Sequence, residues 1–99
     1  MAEKVIVWDQ EARKSLRKKL ENIMEDSFQA AQKVGDEILS LVDSLAEQPE
    51  RFPPDRFKNG NDGSYRAFEK HSLRLSYHVS EKQIRILRVR HVKQRPLKY

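Results

Sequence analysis

The last third of the chain constrains the fold most. It carries three consecutive strand-like runs: Ser64-Tyr-Arg-Ala-Phe-Glu, Leu73-Arg-Leu-Ser-Tyr-His-Val and Gln83-Ile-Arg-Ile-Leu-Arg-Val-Arg-His-Val. In the second run Leu73, Leu75, Tyr77 and Val79 alternate with Arg74, Ser76 and His78, the pattern of a strand buried on one face. Ser80-Glu-Lys82 has the length of a hairpin turn. The third run alternates less cleanly. Ile84 and Ile86 share one phase, whereas Leu87, Val89 and His91 share the other. Either that strand is buried on both faces, or a bulge switches its phase.

The same segment is loaded with cations. Residues 64–99 hold ten Lys/Arg against Glu69 and Glu81, a net of +8, whereas residues 1–63 carry a net of −3. A basic sheet beside a mildly acidic half points to a polyanionic target or an acidic partner.

The first half reads as a strand followed by two helices. Lys4-Val-Ile-Val-Trp8 is a short β-branched run whose continuous apolarity predicts burial on both faces. Asp9 is placed as an N-cap. Beyond it Ala12, Leu16, Leu20, Ile23 and Met24 recur at helical spacing. Asp26-Ser27 marks a break, and Asp26 with Gln29 has the form of a capping box. A second helix carries the stripe Phe28, Ala31, Val34, Ile38, Leu41, Val42 and Leu45 and must end before Pro49. Gly35 lies on that stripe and is expected to mark close packing between the helices. The short break forces an antiparallel pair.

Gln48 to Gly63 is a loop with three prolines and two glycines. Phe52 and Phe57 are expected to pin it to the core. The order is β-α-α-β-β-β, an α+β fold in which a helical hairpin packs on one face of a mostly antiparallel four-stranded sheet. Ninety-nine residues are read as one domain, 1–99.

Composition narrows the function classes. The chain has no cysteine, so thiolate chemistry and a disulfide framework are excluded. No apolar run reaches the roughly 18–20 residues of a membrane helix, and Met1-Ala-Glu-Lys has no signal-peptide pattern. A cytoplasmic protein without membrane contact is expected. Three His without ligand-like spacing predict neither a metal site nor a cofactor.

The ordered set of segments resembles the RelE/ParE superfamily, the toxin halves of bacterial type II toxin–antitoxin modules. The carriers are Val7-Trp8, Ala12 and Leu16; Ala31 through Leu45 with Pro49; Tyr65-Arg-Ala-Phe; Arg74-Leu-Ser-Tyr77; Ile84 through His91; and Arg95-Pro96. They span nearly the whole chain. The resemblance implies a β-α-α-β-β-β toxin held inactive by a cognate antitoxin, with operator DNA bound only through the complex. RelE-like members cut mRNA on the ribosome; ParE-like members poison DNA gyrase.

Cleavage by the substrate's own 2′-hydroxyl needs a base, cations around the phosphorane and an acid for the leaving oxygen. By resemblance, Arg74 would contact the scissile phosphate. Tyr99 would stack on a base or assist the 2′-oxygen, Lys93 or Arg95 would form a second phosphate clamp, and His91 would move a proton. Arg66, Arg85, Arg88, Arg90 and Lys98 would bind RNA. Against this, Tyr99 as the last residue is expected to fray, and Arg74 could be a plain solvated charge. An mRNA endonuclease acting on the ribosome is the leading expectation. A gyrase poison, with the cationic helix face Arg13–Lys19 as its contact surface, is the alternative. A degenerate nucleic-acid-binding module comes third.

Overall fold

Alternation in the last third becomes three antiparallel strands, and the short apolar run near the start joins them as a fourth. A computed structural model describes residues 3–99. Its elements are β1 (Val5–Trp8), α1 (Gln10–Asp26), α2 (Phe28–Ser44), β2 (Tyr65–Lys70), β3 (Leu73–Val79) and β4 (Gln83–His91). The sheet order is β1-β4-β3-β2. Only β1 runs parallel to its neighbour, pairing Val5 with Gln83 and Trp8 with Ile86. The architecture is the α+β arrangement expected, with the helical hairpin on one sheet face.

The core forms where the two helix stripes meet that face. Ala12, Leu16, Ile38, Val42 and Leu45 pack on Leu75, Tyr77, Ile84, Ile86 and Val89, all buried. Tyr77 reaches through the core to donate its hydroxyl to the Pro49 carbonyl at 3.0 Å. Phe52 stacks on Phe68 with ring centroids 4.6 Å apart and pins the loop to the core as expected, whereas Phe57 packs beside Arg74 on the opposite face of the sheet. Gly35 faces Leu20 of α1, but a Cβ there would lie 3.4 Å from Leu20 Cδ1, so the helix spacing does not itself demand a glycine.

Three local expectations need correction. The break between the helices is Ser27 alone. Its hydroxyl accepts from Ala30 N–H at 3.1 Å, its own N–H closes α1 on the Ile23 carbonyl, and Asp26 is the last residue of α1. A hydroxyl in an extended residue reaches the orphan N–H directly, and no capping box is needed. Asp9 occupies the cap position of α1 in backbone terms, but its carboxylate turns to Arg85 Nη1 at 2.7 Å. Finally, β1 is not buried on both faces. It is an edge strand, and Val5 keeps 63% of its surface exposed.

A bulge resolves the phase of β4. Ser76 pairs with Arg88 and Tyr77 with Ile86, which leaves Leu87 as the extra residue. Ile84, Ile86 and Val89 therefore all face the helices, although 86 and 89 differ by three. Arg85, Arg88 and Arg90 all fall on the opposite, open face.

Candidate functional site

Strand register builds the open face in three rows. Across β2, β3 and β4 the rows read Glu69–Arg74–Arg90, Ala67–Ser76–Arg88 and Tyr65–His78–Arg85. The small Ala67 and Ser76 make the middle row a floor, with long cationic and aromatic side chains around it. Two connecting segments close over this floor.

The first is the loop before β2. Its residues Pro53 to Asp55 pair with the outer edge of β2, Asp55 N–H donating to Tyr65 O at 2.8 Å and Ala67 N–H to Pro53 O at 3.3 Å. Asn61 ties the loop further, its amide donating to the Asp55 and Tyr65 carbonyls. This delivers Asp55 beneath Arg74, with no part of its side chain exposed. The second is the C-terminal segment. The chain turns after His91, where Gln94 Oε1 accepts from His91 N–H at 2.7 Å, and comes back across the open face.

Asp55 is the hub of the site. Oδ1 accepts from Arg74 Nη2 at 2.8 Å and from Phe57 N–H at 3.0 Å; Oδ2 accepts from the Tyr99 hydroxyl at 2.7 Å. Burial pushes its carboxyl up. The donors Phe57 N–H, Tyr99 and Arg74 outweigh burial and hold it below the usual aspartate value, so it is ionised. Arg74 also donates to Glu69 Oε2 at 2.9 Å and lies 4.8 Å from the centre of the Phe57 ring. The Tyr99 phenol is pushed up to about 12, first by burial and then by its bond to Asp55.

Arg88 and Arg90 complete the cluster. The Arg88 guanidinium lies 4.1 Å from the centre of the Tyr99 ring and donates to the Leu97 carbonyl; Arg90 donates to the Arg95 carbonyl at 3.1 Å. Burial lowers the Arg88 pKa. Lys58 sits over both Tyr65 and Tyr99, at 4.7 and 5.2 Å from the ring centres, and donates to the Tyr99 carbonyl. Tyr99 N–H and carbonyl pair with Phe57 and Asn59 of the loop. A cavity of about 70 Å³ remains under the segment.

The expected site residues therefore divide. Arg74 and Tyr99 come together through the Asp55 carboxylate, one on each oxygen. Tyr99 does not fray; it is seated at both backbone and side chain. Arg88 and Arg90, expected to bind RNA, lie beside them on the open face. Lys93, Arg95 and Lys98 are exposed on the returning segment, and only the Arg95 main chain meets the cluster. His91 lies at the end of β4 with its Nδ1 accepting from Lys93 N–H at 3.0 Å, leaving Nε2 for any proton transfer. Arg66 is on the helix side of the sheet and serves the loop, donating to the Gly63 and Phe52 carbonyls. Arg85 is paired with Asp9 at the far end of the face.

Asp55, Phe57, Lys58 and Tyr65 were not among the expected residues. The available signal was electrostatic: a sheet half of +8 needs a counter-acid, and Pro53-Pro-Asp55 fixes one in a loop between two phenylalanines.

Comparison with known proteins agrees with this fold. A family model described as the ParE toxin of type II toxin–antitoxin systems, parDE, matches residues 6–96. Among solved structures, a chain of the chromosomal ParDE toxin–antitoxin system of P. aeruginosa superposes with a TM-score of 0.68 at 18% identity, covering 89% of this chain and 95% of that one. A chain of the RelBE2 toxin–antitoxin complex of Mycobacterium tuberculosis gives 0.57 at 21% identity, covering 92% and 93%. No curated protein matches the chain in sequence. A family match running from the first strand to Pro96 spans nearly every element described above, and the chain belongs to the ParE toxin family of type II toxin–antitoxin systems.

Proposed function

We propose that this toxin halts growth by binding a protein target, DNA gyrase, and performs no cleavage of its own. The observation that carries this reading is the Asp55 hub. A ribosome-dependent nuclease needs its phosphate-binding cations open to a polynucleotide and a base for the 2′-hydroxyl. Arg74 is engaged by two carboxylates, the segment ending in Tyr99 lies over Arg88 and Arg90, and the Tyr99 phenol, pushed up to about 12, is no base near neutrality. The family match to a ParE model points the same way.

The partner that restrains it is a cognate antitoxin with an acidic, amphipathic segment. Exposed Met24, Phe28 and Leu39 on the helical hairpin and the basic open face suit such a segment. Operator DNA is contacted only through that complex, and a gyrase target places the toxin in the cytoplasm.

A supercoiling assay with purified gyrase tests the reading. The protein should arrest supercoiling and accumulate cleaved plasmid. Reversing the exposed cations Arg13, Arg17 and Lys18 of α1 to Glu should relieve the arrest without changing the thermal midpoint by more than a few degrees. The second reading, mRNA cleavage on the ribosome, is favoured by the +8 charge of residues 64–99. New mRNA 5′ ends at the A-site codon in a translation reaction, alongside unaffected gyrase, would replace the first reading with the second.

A further inference from the structure

The recess under the returning segment holds more positive charge than its own acids match. Arg56, Arg74, Arg88 and Arg90 line it, with Ser76 and Glu69. Arg74 is matched by Asp55 and Glu69. Arg88 and Arg90 pair with no carboxylate among the described residues; each donates instead to a main-chain carbonyl. Two buried guanidinium nitrogens, Nε of Arg74 and Nε of Arg88, have no acceptor among the described residues. Buried N–H donors without an acceptor are rare in folded proteins. Here both belong to residues that line the same recess.

Size and charge then select the occupant. By the same measure a single water needs roughly 10–15 Å³, so about 70 Å³ accommodates a group of several heavy atoms. Guanidinium groups are the preferred donors to tetrahedral oxyanions, because their forked N–H groups bond in parallel. We propose that this recess binds one small tetrahedral oxyanion, inorganic phosphate or sulfate, between Arg74, Arg88 and Arg90 above the buried Ser76.

A free anion fits better than the backbone of a nucleic acid. Pro96 and Leu97 form part of the recess wall, and the carbonyls of Arg95 and Leu97 already take one donor each from Arg90 and Arg88. A polynucleotide would have to lift the segment and break the Tyr99 bonds to Asp55, Phe57 and Asn59. A free anion leaves them in place and joins the sheet to the segment above it. Because it would bind only the closed arrangement, it stabilises that arrangement by linkage.

Calorimetric titration of the whole chain with sodium phosphate, and separately with sodium sulfate, at constant ionic strength in a chloride-free buffer tests the site. Saturable one-to-one binding is expected. Arg88→Gln and Arg90→Gln should each weaken it about tenfold or more, and Lys82→Gln in the β3–β4 turn should not. Circular dichroism establishes that the variants fold; should Arg88→Gln fail, Arg90→Gln alone decides. Heats that grow linearly with salt would overturn the proposal, since excluded salts stabilise any protein in that way. Wild-type affinity in the folded arginine variants would do the same. A single-stranded RNA oligonucleotide that binds where phosphate does not, and loses affinity in those variants, would overturn it in favour of a backbone-binding face.

Discussion

The Tyr99 hydroxyl donates to Asp55 Oδ2 at 2.7 Å, and through that bond the C-terminal segment is fastened to a carboxylate whose side chain has no exposed surface. Arg74 reaches the other oxygen of the same carboxylate. One acid thus holds a strand, a loop and the returning segment together, and most consequences of mutation on this face pass through it.

Replacing Asp55 by Ala should destabilise the fold by about 2–4 kcal/mol, because it strips a partly buried guanidinium of one carboxylate and orphans two further donors. Tyr99→Phe removes only one donor and should lose about 1–2 kcal/mol. Urea denaturation measures both. A loss for Asp55→Ala no greater than that for Tyr99→Phe would contradict the hub.

Arg74→Ala should behave as a stability variant. It leaves Asp55 ionised and buried without its cation, and about 2–3 kcal/mol should be lost. Toxicity restored at lower growth temperature, where the fold survives, is the expected signature; arrest abolished at every temperature with a wild-type melting curve would assign Arg74 a direct role.

The pH response follows from the shifted groups. The carboxyl of Asp55 is lower in the folded chain than its ordinary value of 3.8. Between those two values the unfolded chain binds more protons, so this stability is complete above pH 3.8 and lost as pH falls through the folded value. Tyr77 and Tyr99 are shifted the other way, from 10.0 to about 12, both chiefly by burial. The unfolded phenols ionise first, so stability is complete below pH 10 and drains away toward about 12. Ultraviolet titration of tyrosinate should show two late-ionising groups, and Tyr99→Phe should remove one. Three phenols titrating together near 10 would refute the assignment.

Gly35→Ala should stabilise the chain. The new methyl would meet Leu20 Cδ1 at 3.4 Å, an ordinary contact, and an interior helical glycine gives up about 0.5–1 kcal/mol relative to alanine. A rise in Tm of roughly 2–8 °C is expected. A fall would mean that the two helices sit closer than this spacing.

Deleting Leu87 should leave the fold intact. Without the extra residue the strand reads Ile84-Arg85-Ile86-Arg88-Val89-Arg90, a regular alternation that keeps Ile84, Ile86 and Val89 toward the helices and the three arginines on the open face. Retained cooperative thermal unfolding and a well-dispersed amide spectrum are expected. Loss of cooperative unfolding in the deletion variant would show that the bend at the bulge is itself required.

What the sequence revealed depended on periodicity. The stripe from Ala31 to Leu45 and the alternation from Leu73 to Val79 announce themselves because each repeats at the spacing of its element. Features resting on one residue were harder to read. Ser27 caps α2 in place of Asp26 because either residue type can cap, and only the phase of the two stripes decides. Val5 to Trp8 is apolar enough for a central strand, yet its edge position is set by the chain order, not by its composition. At the site, Arg88 and Arg90 were legible as cations but not as members of one row-and-floor arrangement, since that depends on Leu87. Asp55 lies in a stretch without period, and its burial follows from the three donors that converge on it from distant parts of the chain.

The parallel pairing of β1 with β4 sets an order of events during synthesis. Val5 to Trp8 leave the ribosome well before their partner strand, Gln83 to Ile86. The helical hairpin needs only local contacts and can form in between. Until β4 emerges, β1 has no hydrogen-bonded neighbour and the apolar stripes of α1 and α2 have no sheet to cover them. The nascent toxin must therefore pass through a stage with an unpaired strand edge and a bare apolar hairpin, the two features that invite premature association between chains.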